Sequence, residues 1–199
     1  YDLCKGKLLA PMYGLLIEDE EKMAQRNDLV AVDRTMVRPE QTQTKEFLKT
    51  AVFEYLIGNT DWSVQYRQNI KLIAKDTVSK PYAVPYDFDH AGIVGAPYAK
   101  PAEQLLLSST RERRYRGYCV QDMKYFNEAI AQFNERKDEI YKLYESNDLL
   151  DAGYIKSTIK FLDNFYETIN DPKKRIREFQ YPCRSDGTGN VVIMGLDKN

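Results

Sequence analysis

The tightest constraint on how this chain folds is the run from residue 44 to residue 61. Phe47, Leu48, Ala51, Val52, Tyr55 and Leu56 recur at the spacing of one helical face, and Gly58 stands where a left-handed C-terminal cap belongs. Asn59-Thr60-Asp61 follows at once, so a buried helix delivers the chain straight into a polar loop. The next apolar segments are short: residues 70–74 read as a strand, 75–80 as a turn and 82–86 as the returning strand. In such an antiparallel pair Asn69 and Asp87 lie at the same end, which predicts that they are neighbours.

The flanking segments supply scaffold. Residues 13–18 read as a strand, followed by a short helix over about 20–26 with Asp19 as its N-cap and acids in its first turn. Residues 30–43 are irregular and Pro39 marks a break. Met123, Phe126, Ile130, Phe133, Ile140 and Tyr144 predict one long amphipathic helix over about 121–145. Residues 147–152 form the turn to a second helix over about 153–169, carrying Ile155, Ile159, Leu162, Tyr166 and Ile169. Asp171-Pro172 is an N-cap followed by proline at the first helical position, opening a last short helix to about Phe179. Residues 185–199 read as a tail or an added strand.

With 199 residues, one globular core is expected. The 29 basic and 30 acidic residues nearly cancel, so the molecule as a whole has no attraction for nucleic acid or anionic membrane, and any phosphate binding must be local. Cys4, Cys119 and Cys183 are odd in number and far apart, which argues against a zinc site and against a disulfide framework and predicts buried or idle thiols. No apolar run approaches the length of a membrane span, and no signal-peptide pattern is present. The first residue is Tyr1, not methionine, which leaves open a targeting segment upstream and, with it, the compartment.

The chemistry-bearing residues concentrate in two places. Asp61 follows a helix C-terminus, the unfavourable end of the dipole for a carboxylate, so a metal, a cation or a proton is expected to compensate it; helix termination by Asn59 and Asp61 side chains is the plainer reading. Asp87-Phe88-Asp89, if extended, puts both acids on one side and Phe88 in the core, and with Asn69 they supply the oxygen ligands that suit Mg²⁺; a turn-forming Asp-x-Asp explains the pattern equally well. His90, the sole histidine, reads as an orienting side chain. Gly92 and Gly95 read as loop hinges. The basic run over 111–116, with Glu112 inside it, reads as solvated or internally salt-bridged.

Together these residues resemble the catalytic half of the protein-kinase-like fold, an α+β, predominantly helical C-lobe. Asn59-Thr60-Asp61-Trp62-Ser63, Pro85-Tyr86-Asp87-Phe88-Asp89, Pro97-Tyr98-Ala99 and Arg111-Glu112-Arg113 are similar to a group of Bacteroidetes proteins related to the spore-coat CotH kinases. The resemblance spans about residues 13–184, with residues 13–18 as the hinge strand. It implies Asp61 as the catalytic base, Asn69 and Asp87 as metal and nucleotide ligands, and Mg²⁺ with ATP as cofactors, and it puts Asp89, a metal-ligand candidate on the residue chemistry alone, at the glycine position of the Asp-Phe-Gly motif. Partners on this reading are a nucleotide, a hydroxyl substrate and a companion N-lobe. The sequence departs from the kinase pattern in three ways. Asp61 and Asn69 are eight residues apart, whereas the kinase catalytic loop sets these roles five apart. The preceding His-Arg is absent, as are the Gly-rich loop and the strand lysine with its helix glutamate. Other readings are a non-catalytic module of the same fold and a metal-dependent phosphoester hydrolase using Asp87, Asp89 and His90.

Overall fold

The computed structural model describes residues 4–8, 14, 16–101 and 103–183. Among these the protein is a mostly helical α+β fold with six α-helices and one three-stranded antiparallel sheet. The first helix, α1 (Glu20–Arg26), begins at Asp19, whose side chain accepts from the backbone N–H groups of Glu21 and Lys22. Of the strand expected over 13–18, Tyr13 and Leu15 lie outside the described residues, and the remainder is not strand.

Helix α2 (Thr44–Ile57) is the central element. It buries Phe47, Leu48, Ala51, Val52, Tyr55 and Leu56 as the periodicity requires, and it packs on the sheet and on a later helix. Gly58 closes it at φ 69°, the left-handed cap expected from sequence. A side chain at Gly58 would also collide with the Phe161 ring, its Cβ falling 2.8 Å from Cζ.

Strands β2 (Ile70–Ala74) and β3 (Tyr82–Pro85) form the expected hairpin, with Ile70 opposite Pro85. A third strand, β1 (Val30–Ala31), pairs with the other edge of β2. It lies in a segment that reads as irregular, because two residues are too few to show an alternating pattern. The pairing continues through Val32, whose N–H donates to Leu72 O at 2.9 Å.

Where one long helix is expected over 121–145 there are two, α3 (Lys124–Glu135) and α4 (Lys137–Glu145), broken at Arg136 (φ −92°, ψ 6°). The break lets α3 pack on α2 and α4 pack on α5 (Ala152–Asn170). Asn134 and Asn170 lock the corner by exchanging amide hydrogen bonds of 2.9 and 3.0 Å. The apolar stripe keeps the same phase across the break, so periodicity alone could not reveal it. Asp151 caps α5, and Asp171 with Pro172 opens α6 (Pro172–Phe179) as expected. The expected tail over 185–199 lies outside the described residues.

The cysteine reading requires correction. Cys119 and Cys183 form a disulfide with Cα atoms 4.7 Å apart across 64 residues of chain. The spacing concealed it because the two positions meet only after α6 folds back against α5. Cys4, which is exposed, lies outside this bridge. No helix among the described residues is long and apolar enough to cross a membrane.

Candidate functional site

The rigid C-terminus of α2 positions everything that follows. Asn59 is buried, its Oδ1 accepts from the Asp61 N–H at 3.0 Å, and its Nδ2 donates a long 3.5 Å bond to the Asp87 carbonyl. Gly92 N–H donates to Gly58 O and Ile93 N–H to Ile57 O, at 3.1 and 2.9 Å. The loop after α2 and the loop after β3 are thus stitched together, and Asp61 and Asp87 emerge from one joined surface. Gly92 is no hinge, since an added Cβ would lie 2.3 Å from Thr110 O; it is the point where two backbones touch. Gly95, at φ 65°, makes a turn.

Asp61 is half-buried and held by amides. Asn69 Nδ2 donates to its Oδ2 at 3.0 Å and to its backbone carbonyl at 2.7 Å, while Gln68 Nε2 donates to Oδ1. Arg116 Nη1 donates to Thr60 O at 2.9 Å. Burial draws the Arg116 guanidinium below its ordinary value and the charge of Asp61 opposes that shift, so a cation backs the loop. The compensation expected for a carboxylate beyond a helix C-terminus therefore comes from Gln68, Asn69 and Arg116. Asn69 reaches Asp61 because its backbone is left-handed at φ 52°. Its own carbonyl accepts from the Tyr86 N–H at 3.3 Å, which sets it beside the residue preceding Asp87.

Of the two readings of Asp87-Phe88-Asp89, the turn-forming one holds and the extended strand does not. The Asp89 N–H donates to Asp87 Oδ1 at 3.3 Å, so Asp87 makes a turn. Asp89 Oδ2 accepts from the Tyr98 hydroxyl at 3.2 Å, and the His90 ring rests 5.9 Å from the Tyr98 ring. Phe88 does pack inward, edge-on to Phe53 at 5.6 Å. Among the described residues no group of three or more His, Cys, Asp or Glu side chains could hold a metal ion.

Set against protein-family models, curated proteins and solved structures, the chain finds no match. Its chemistry must be argued from its own residues.

Glu54 is one that sequence reasoning passed over. It is 1% exposed on the last turn of α2, and neither carboxylate oxygen has a hydrogen-bond partner. Burial pushes its carboxyl up to about 8, a weaker contact with Asn59 opposing. The acid is thus neutral at pH 7 and lies beside the amide that joins the two loops. Its folded value exceeds its unfolded one, so the stability it permits is full below about pH 4.5 and is lost as pH rises through about 8. We expect Glu54→Gln to raise stability at pH 8 by roughly 3 kcal/mol and to flatten the decline between pH 5 and 8. Urea midpoints across that range check this; equal slopes in both proteins would contradict it. The helical pattern did contain a signal, a charged residue on the apolar face of α2.

The basic run divides its labour, and neither solvation nor internal salt bridges describes it. Arg113 is buried, with Nε donating to Tyr55 O at 2.8 Å and Nη2 to Leu56 O and Phe161 O at 2.9 and 2.7 Å. Nη1 donates to Asn164 Oδ1 at 3.1 Å, and the guanidinium stacks 3.5 Å from the Phe161 ring. It satisfies carbonyls that the end of α2 leaves open.

Proposed function

We propose that this chain is the catalytic half of a kinase-like phosphotransferase that uses Mg²⁺ and a nucleoside triphosphate to modify a hydroxyl substrate. The observation that supports the reading most is the junction at Asn59, one buried side chain tied to both Asp61 and Asp87. The donor set suits the ion. Mg²⁺ is held by one or two carboxylates with amide, water and phosphate oxygens, so a cluster of three acids is not required. Asn69 spends its amide nitrogen on Asp61, which leaves its oxygen to serve as a ligand together with the carboxylate of Asp87. Asp89, engaged by Tyr98, is a weaker candidate ligand.

When bound, the ion would neutralise phosphate charge. Asp61 would orient the substrate hydroxyl and accept its proton, each carboxylate oxygen keeping a lone pair beyond its amide contact. Gln68 and Asn69 would keep it aimed. The sequence lacks the Gly-rich loop and strand lysine that position phosphates in kinases, so turnover by this chain alone is expected to be weak.

Adding Mg·ATP should raise the thermal midpoint, and Asp87→Ala should abolish the rise. A midpoint that Mg·ATP leaves unmoved, or moves equally in the variant, overturns the proposal. One observation favours a second reading, a nucleotide-binding module without catalysis: both oxygens of Asp61 are already held by amides. Asp61→Asn separates the two, since it should keep Mg·ATP binding in either case but eliminate residual phosphoryl transfer only on the catalytic reading.

A further inference from the structure

A second cleft, of about 500 Å³, opens among the 111–116 segment, α5 and α6. Arg111, Arg114, Lys174 and Arg177 line it together with Glu112 and Glu178, so cations outnumber acids. Both acids are already engaged, and Lys174 Nζ is paired with Glu167 in an exposed ion pair of the kind that contributes little and that a multivalent anion can outcompete. Glu112 accepts from the Ser108 N–H and hydroxyl at 2.9 Å each, and Glu178 accepts from Arg177 Nε at 2.9 Å.

Arg114 carries the inference. Its guanidinium lies 4.5 Å from the centre of the Tyr181 ring and is half-buried, yet it makes no hydrogen bond among the described residues. A planar fork of donors held on an aromatic face is pre-organised for a bidentate oxyanion. Arg111 adds to this: Nη1 and Nη2 bond to Gly92 O and Ser157 O at 3.2 and 3.0 Å, and its Nε–H makes no such bond among the described residues. The Cys119–Cys183 bridge anchors the turn that carries Tyr181, so the aromatic face is fixed.

We propose that this cleft binds a small multivalent phosphate-class anion, with Arg114 and Lys174 contacting the phosphate oxygens. Several cations spaced around a volume larger than one phosphate favour two linked phosphoryl groups over a single one. The site is separate from the Asp61–Asp87 surface and does not depend on the function proposed for it. The probe is inorganic pyrophosphate, titrated calorimetrically into the full chain in EDTA so that no divalent ion contributes. Saturable binding should appear, weaken at least tenfold in the double variant Arg114→Gln/Lys174→Gln and persist in Asp87→Ala. Both substituted side chains are half-buried, and an unchanged thermal midpoint verifies folding. Absence of binding, undiminished binding in the double variant, or equal affinity for citrate, which would reduce the site to unspecific charge, each overturns the proposal.

Discussion

Arg113→Met should destabilise the protein by about 4 kcal/mol, and Arg113→Lys should recover little of the loss. The guanidinium is the partner of three backbone carbonyls and one side-chain amide, all brought to one buried point by α2 and α5. Methionine keeps the packing against Phe161 but leaves these acceptors unpaired, each unmade bond costing roughly 1 kcal/mol or more. Lysine keeps the charge but cannot reproduce the planar fork or the stacking. Burial draws Arg113 down to about 10, so it remains charged at neutral pH, and the negative end of α2 supplies part of its counter-charge. Urea unfolding measures the effect; a loss below about 1 kcal/mol for Met would show that water replaces the guanidinium at little cost.

Removing the disulfide should cost a comparable amount. A loop of 64 residues corresponds to about 4 kcal/mol of lost denatured-state entropy in the loop-closure treatment. The double variant Cys119→Ser/Cys183→Ser should therefore unfold at a lower urea concentration, and the reduced wild-type protein should match it. A midpoint insensitive to both changes would contradict the bridge. Such a cross-link persists where thiols are kept oxidised.

The helices with strong local signals were legible in the sequence. The stripe from Phe47 to Leu56 and the glycine at 58 placed α2 and its end, Asp19 and Asp171 placed the starts of α1 and α6, and the hairpin lay where its β-branched residues predicted. What was not legible depended on contacts distant in sequence. The kink at Arg136 exists because α3 and α4 answer to different neighbours, β1 is too short to alternate, and Cys119 meets Cys183 only through tertiary folding. The site was legible in part. Asn69 adjoins the strand end leading to Asp87, as the hairpin predicted, and it also holds Asp61 through its side-chain amide. The turn at Asp87 and the engagement of Asp89 by Tyr98 replaced the extended geometry, because a side chain accepting a nearby N–H competes with continuation of the strand. Asn59, Gln68, Arg116 and Glu54 gained their importance only from where α2 ends.

The most direct test of the Asp61–Asp87 surface as a single Mg²⁺–nucleotide site uses two residues that occur once each in the chain, Trp62 beside Asp61 and His90 beside Asp89. In proton NMR, stoichiometric Mn²⁺ in the presence of ATP should broaden both the Trp62 indole and the His90 imidazole signals, and Asp87→Asn should restore them. Broadening of neither signal, or of His90 alone, or broadening that survives in Asp87→Asn, would contradict the single site.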